Sequence, residues 1–201
     1  PYSSTLAADA ARVTELAAIA SYAGIGRGDE KAADQLAVDA MRTALNALDI
    51  DGKIVIGEGE RDEAPMLAAL REVGAKVVLI TDGDVAGVIH TAEPETGIDL
   101  YLGSGGAPEG VLAAAALKCV GGYFQGRLIF RNDVERARAE KTGVTDFGRK
   151  YDLHELVSKD AIFAATGVTK GAMLDGVRMH NGFVSTHTLV MDSSTRTVQR
   201  I

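Results

Sequence analysis

Lys53-Ile54-Val55-Ile56-Gly57-Glu58-Gly59-Glu60-Arg61-Asp62-Glu63-Ala64-Pro65 runs without a spacer from an apolar, strand-like segment into a knot of glycine and acid, and then to a helix start. The same plan recurs twice. Val77-Val78-Leu79-Ile80 leads into Thr81-Asp82-Gly83-Asp84, and Leu100-Tyr101-Leu102 leads into Gly103-Ser104-Gly105-Gly106-Ala107-Pro108-Glu109-Gly110. Short apolar runs alternating with helical stretches predict an α/β fold, a mostly parallel sheet with helices packed on it. In such sheets ligands bind outside the carboxyl ends of the strands, where all three knots fall. Gathered carboxylates repel one another unless a cation joins them, and hard ions such as Mg²⁺ or Mn²⁺ suit oxygen ligands. The glycines let backbone N–H groups approach an anion closely. Acid for metal and glycine for anion point to metal-assisted phosphate chemistry.

Outward from these knots, the periodicity predicts helices over Thr5–Tyr22 and Glu30–Leu48, the second capped by Asp29. It predicts strands Lys53–Ile56, Lys76–Ile80 and Ile98–Leu102, and helices Pro65–Val73, Val85–Thr91 and Pro108–Leu117. Ala64-Pro65 and Ala107-Pro108 place proline at the first helical position, where its missing N–H costs nothing. Both helix starts follow a knot, so both N-termini should face the site as anion-binding elements. Beyond Tyr123 the character changes. Tyr123–Phe130, Ala161–Ala165, Phe183–Met191 and Thr195–Ile201 read as strands completing a sheet, with a charged helix Asp133–Lys141 and a short one at Leu153–Val157.

Composition narrows the function. With 201 residues, 46% hydrophobic and 24% charged, the chain suits one globular domain or a domain with a smaller lobe. A net charge of −7 argues against a general nucleic-acid binder. Aromatic content of 5% gives no stacking platform for single strands. The lone Cys119, in an Ala/Leu/Val segment, reads as a buried thiol in a reducing compartment. No apolar run reaches the ~18 residues that cross a bilayer. Pro1-Tyr2-Ser3-Ser4 lacks the plan of a signal peptide, and cytoplasmic residence is expected. Pro108 stands where a dinucleotide loop needs its third glycine, and no Walker loop, serine elbow or zinc-spaced histidines occur.

Each candidate residue has two readings. Asp34 precedes Ala37, Val38, Met41 and Leu45 at +3, +4, +7 and +11, so it either continues an inward stripe or stands half-exposed at its edge. Glu58, Glu60 and Asp62 alternate along an extended segment and would face one way, as metal ligands plus a base for water, or as a solvated charge run. Asp82-Gly83-Asp84 is a ligand loop or a turn. Glu109 is a ligand or the acid that complements its own helix dipole. Recurrence at three strand ends favours the functional set.

Taken together, Gly26-Arg27-Gly28-Asp29 with Ala33-Asp34, the block Val55–Leu67, Ile80–Ala86 and Gly105-Gly106-Ala107-Pro108-Glu109-Gly110-Val111 closely resemble the class II fructose-1,6-bisphosphatases. In photosynthetic bacteria this type also cleaves sedoheptulose-1,7-bisphosphate. The similarity continues through Gly126-Arg127-Leu128, Ile162–Thr169 and Thr186-His187-Thr188-Leu189. The resemblance implies the layered sugar-phosphatase fold related to inositol phosphatases, Mn²⁺ or Mg²⁺ as cofactor, a sugar bisphosphate as substrate, and a homo-oligomer, dimer or tetramer. By it, Asp34, Glu58 and Glu109 match metal ligands and Asp62 the acid that activates water. Asp82, Gly83, Asp84 and Gly106 match positions that contact the substrate.

There is one departure. The family's Asp-Pro-x-x-Gly-Thr motif, with its metal-bridging aspartate and phosphate-side threonine, is absent. The resemblance jumps at Leu67–Ala68 over on the order of a hundred residues, about one small domain. The expected organisation is therefore an incomplete metal-binding lobe over residues 1–67 and an α/β lobe over 68–201. Two further readings stand beside hydrolysis of fructose-1,6-bisphosphate. One is an impaired form that binds metal or sugar phosphate, or only assembles with intact subunits. The other is a phosphatase for another sugar or inositol phosphate.

Overall fold

The structure, a computed structural model, describes residues 4–48, 76–78, 80 and 83–201. The expected strand Lys53–Ile56 and helix Pro65–Val73 lie outside the described residues. Helix α1 (Ser4–Tyr22) and helix α2 (Glu30–Asn46) form an antiparallel pair at the N-terminal end. Asp29 caps α2 by accepting from the Ala32 N–H at 3.0 Å, the job its side-chain oxygen is suited to. Helix α3 (Asp84–His90), a 3₁₀ turn at Pro94–Thr96 and helix α4 (Ala107–Val120) follow. Strand β1 (Gln125–Arg127), helix α5 (Asp133–Lys141), strand β2 (Lys150–Asp152) and helix α6 (Leu153–Leu156) come next. Strands β3 (Ile162–Thr166), β4 (Arg178–His180), β5 (Phe183–Ser185), β6 (Thr188–Asp192) and β7 (Thr197–Arg200) close the chain.

The mixture of helix and strand is that of an α/β protein, but the pairing differs from expectation. Every strand pair among the described residues is antiparallel: β1 with β2, β4 with β5, and β6 with both β3 and β7. Neither Lys76–Ile80 nor Ile98–Leu102 forms a strand in its described residues. Alternating apolar side chains favour an extended backbone, yet a ladder exists only where a second strand offers its own N–H and C=O groups. Such a partner is missing among the described residues. The predicted strand Phe183–Met191 is split in two for a local reason. The His187 carbonyl accepts from the Gly167 N–H, and its ring Nδ1 accepts from the Asp175 N–H at 2.9 Å. That residue thus leaves the β4–β5 hairpin and stands just before the start of β6, the central strand of the three-stranded sheet.

Strand β6 lies at the centre of that sheet, and every one of its residues is buried. Its alternation assigns the two faces. On one face Thr188 Oγ1 bonds Thr166 Oγ1 at 2.8 Å, which in turn bonds Thr14 Oγ1 of α1 at 2.8 Å. On the other, Leu189 and Met191 join Ile89, Ala116, Cys119 and Phe163 in a core cluster. Helix α1 therefore covers one face and α4, with α3 beside it, covers the other. Helix α4 buries Ala113, Ala114, Ala116, Leu117 and Cys119, while Val111 and Leu112 near its start are exposed. A second cluster, Val88, Ala113, Leu117 and Leu153, joins α3, α4 and α6.

Two tests of stability arise here. Thr188→Val keeps the shape of a buried side chain and removes one hydroxyl from the Thr14–Thr166–Thr188 chain. It should cost about 1 kcal/mol by urea unfolding, and an unchanged midpoint would show that the chain contributes nothing. Asp192, buried at the end of β6, accepts from Ser194 N at 2.8 Å, Ser194 Oγ at 2.7 Å and Thr195 N at 3.4 Å. Burial pushes its carboxyl up, but these bonds outweigh that and hold it below its usual range. A lowered folded pKa contributes stability above the unfolded value of about 3.9, and loses it as pH falls through the folded one. The stability difference between the parent and Asp192→Asn should be constant near neutrality and shrink below about pH 4. A difference that stays flat into acid would contradict this.

Candidate active site

Two helix starts build the site. Asp84 stands in the first turn of α3 and Glu109 in the first turn of α4, and the two helices pack against each other. Each acid faces the positive end of its own helix dipole. Pro108 opens α4 with the φ a first turn needs. Glu109 Oε2 reaches back to accept from the Gly106 N–H at 2.8 Å, so the acid at the third position closes the helix start.

The two carboxylates converge on one backbone position. A Cβ built on Gly105 would lie 2.6 Å from Glu109 Oε2 and 3.4 Å from Asp84 Oδ2. Since both oxygens lie within those distances of one point, they are no more than about 6 Å apart. Oxygen donors of this kind suit a hard divalent cation. Among the described residues no group of three or more His, Cys, Asp or Glu gathers.

The other candidates are placed as follows. Gly83, with φ +75°, caps α3 next to Asp84, and Gly106 caps α4. Glu58, Asp62 and Asp82 lie outside the described residues. Asp34 stands on the exposed face of α2. The inward face of that helix holds Ala33, Ala37, Ala40, Met41, Ala44 and Leu45, while Leu36 and Val38 are exposed. Ala37, Met41 and Leu45 of the expected stripe thus face inward, and Asp34 stands at its exposed edge.

Sequence reasoning passed over two features. Reading of the sequence assigns the Gly105-Gly106 backbone a part in holding substrate, but not that the Asp84 and Glu109 carboxylates both lie near Gly105. Tyr101 was read as part of an apolar run. Its ring packs on α3 at Gly87 and its hydroxyl curls over Gly103, where a Cβ would be 2.6 Å from the oxygen. A tyrosine two places before a glycine knot was the available signal, because its polar tip needs somewhere to go.

A sequence profile described as "Bacterial fructose-1,6-bisphosphatase, glpX-encoded" matches residues 4–74 and, in a second segment, 68–201. The chain belongs to this bacterial fructose-1,6-bisphosphatase family. It is 30% identical over 317 aligned positions to the D-fructose 1,6-bisphosphatase class 2/sedoheptulose 1,7-bisphosphatase of Synechococcus sp. (strain JA-3-3Ab), covering 93% of this chain and 91% of that protein. It is also 30% identical over 315 positions to fructose-1,6-bisphosphatase 1 class 2 of Escherichia coli (strain K12), covering 98% of this chain and 94% of that protein. An alignment of 317 positions cannot be filled by 201 residues, so more than about a hundred positions of the Synechococcus protein face no residue here. The two matched segments meet at residues 68–74, where the resemblance jumps. Among the described residues no helix is long and apolar enough to cross a membrane.

Proposed function

We propose that this chain hydrolyses fructose-1,6-bisphosphate at its 1-phosphate, giving fructose 6-phosphate and phosphate, with Mn²⁺ or Mg²⁺ as cofactor. The observation that carries the reading is the convergence of Asp84 and Glu109 on Gly105 at two packed helix starts, in a chain of the fructose-1,6-bisphosphatase family. Glu109, with Asp34 and Glu58, would hold the cation. When bound, it supplies positive charge to the phosphoryl oxygens and acidity to a water. Asp62 would help orient or deprotonate that water for in-line attack. Asp82, Gly83, Asp84 and Gly106 bind the sugar bisphosphate, and the start of α4 favours its negative charge. Residues 1–67 form the metal-binding lobe and 68–201 the lobe with most substrate contacts. The layered sugar-phosphatase architecture, cytoplasmic residence and assembly as a dimer or tetramer complete the proposal.

The experiment is phosphate release from fructose-1,6-bisphosphate with Mn²⁺ or Mg²⁺, with and without a chelator. Equal yields of phosphate and fructose 6-phosphate, abolished by chelation, are expected. A second reading has its own observation, the hundred or more family positions that face no residue in this chain. Val78, on the apolar run that follows the gap, and Leu100, on the run after it, are 62% and 65% exposed. Tight bisphosphate binding with no phosphate release would select this impaired form and overturn hydrolysis. Release from another sugar or inositol phosphate alone would move the substrate but keep the chemistry.

A further inference from the structure

We propose that Gly105 is a positioning residue for the Glu109 carboxylate, its missing side chain leaving the space that Glu109 Oε2 occupies on the side of Asp84. The proposal rests on the reading of Glu109 as a metal ligand. Glu109 Oε2 is tied to the Gly106 N–H at 2.8 Å, so the carboxylate is not free to swing from the helix start. In that position it stands 2.6 Å from where any Cβ at residue 105 would be, closer than carbon and oxygen approach without bonding. Asp84 Oδ2, at 3.4 Å from the same point, would be in ordinary contact. Alanine at this position therefore leaves Asp84 in ordinary contact and requires the tip of the Glu109 side chain to shift. That shift changes where the carboxylate stands relative to the Gly106 N–H and to Asp84. Geometry around a ligand is commonly worth as much as some ligands themselves, since a displaced donor no longer meets the ion with its partners.

The test uses the full chain and Mn²⁺ alone as probe, with binding measured by calorimetry and the Gly106 amide followed in ¹⁵N NMR spectra of metal-free protein. Gly105→Ala should weaken Mn²⁺ binding about tenfold or more and move the Gly106 amide resonance. Gly110→Ala is the control, because a Cβ there meets only Phe124 Cζ at 3.9 Å. It should bind Mn²⁺ as the parent does. The double variant Gly105→Ala/Glu109→Gln decides whether the effect passes through Glu109, and it should bind no more weakly than Glu109→Gln alone. Parent-like binding by Gly105→Ala, with binding by Glu109→Gln impaired, would overturn the proposal and leave the metal reading standing. Additive losses in the double variant would overturn it too. A parent that binds no Mn²⁺ would instead overturn the metal reading, and the positioning proposal with it.

Discussion

Glu109→Gln is expected to cut phosphate release by on the order of a hundredfold or more while leaving the metal-free fold nearly unchanged. Glutamine at the third position of a helix still accepts from the N-cap N–H, so the bond that Gly106 now donates to Glu109 Oε2 survives. Side-chain length and the slot over Gly105 are also conserved. What the substitution removes is one negative charge at the point where Asp84 and Glu109 meet. That charge has little to stabilise in the metal-free chain beyond the helix dipole, an effect of about 0.3–1 kcal/mol. A bound divalent cation would depend on it heavily. Phosphate release and thermal melting, measured on one preparation, separate the two roles. Near-parent phosphate release would remove Glu109 from the ligand set. A large drop in melting temperature would mean that the carboxylate serves mainly to cap α4. The same logic applies to Glu58→Gln, whose turnover should fall far more than its stability.

Local chemistry was the legible part of this sequence. Asp133–Lys141 was readable to the residue, because Asn132 accepts from the Glu135 N–H at 3.0 Å and acids fill the first turn. Helix α4 announced itself through Ala107-Pro108 at its start, while its end at Val120, before Gly121 with φ +77°, lies beyond the expected Leu117. Capping and turn residues act on neighbours within about four positions, so a single sequence contains all the information needed.

Partnership over long distances was not legible. Val77–Ile80 and Ile98–Leu102 have the composition of strands, but composition says nothing about where a ladder partner comes from. The direction of the pairing was equally hidden, since the apolar run Leu189–Met191 within β6 suits a parallel sheet, yet the strand pairs antiparallel on both sides. Asp34 shows the same limit on a helix. Its spacing fits the stripe of Ala37, Met41 and Leu45, which do face inward, yet Asp34 itself is exposed. The site was legible as a set of acids at helix starts. That two of them converge on Gly105 depends on how α3 packs against α4, which no motif encodes.

The second large effect should come from Gly176→Ala, with a loss of about 3 kcal/mol in unfolding free energy. Residues 167–177 leave β3 and fold back so tightly that the chain touches itself twice. The Val177 N–H donates to the Val168 carbonyl at 3.1 Å, and the Gly171 N–H donates to the Leu174 carbonyl at 2.9 Å. A Cβ on Gly176 would fall 2.7 Å from Thr169 Cα and 2.7 Å from its carbonyl carbon. Those are backbone atoms, so no rotamer change can relieve the contact and the strands of the loop must separate. Separation would loosen the bond to Val168 and withdraw Leu174 and Val177, both buried, from the core. Leu174 belongs to the cluster with Phe163, Leu189 and Met191, so the damage should spread to the sheet rather than stay in the loop. A urea titration distinguishes this from a local rearrangement. Global destabilisation moves the midpoint at constant slope, whereas fraying of the loop alone would leave the midpoint in place. The second result would show that residues 167–177 are held by the fold without helping to hold it.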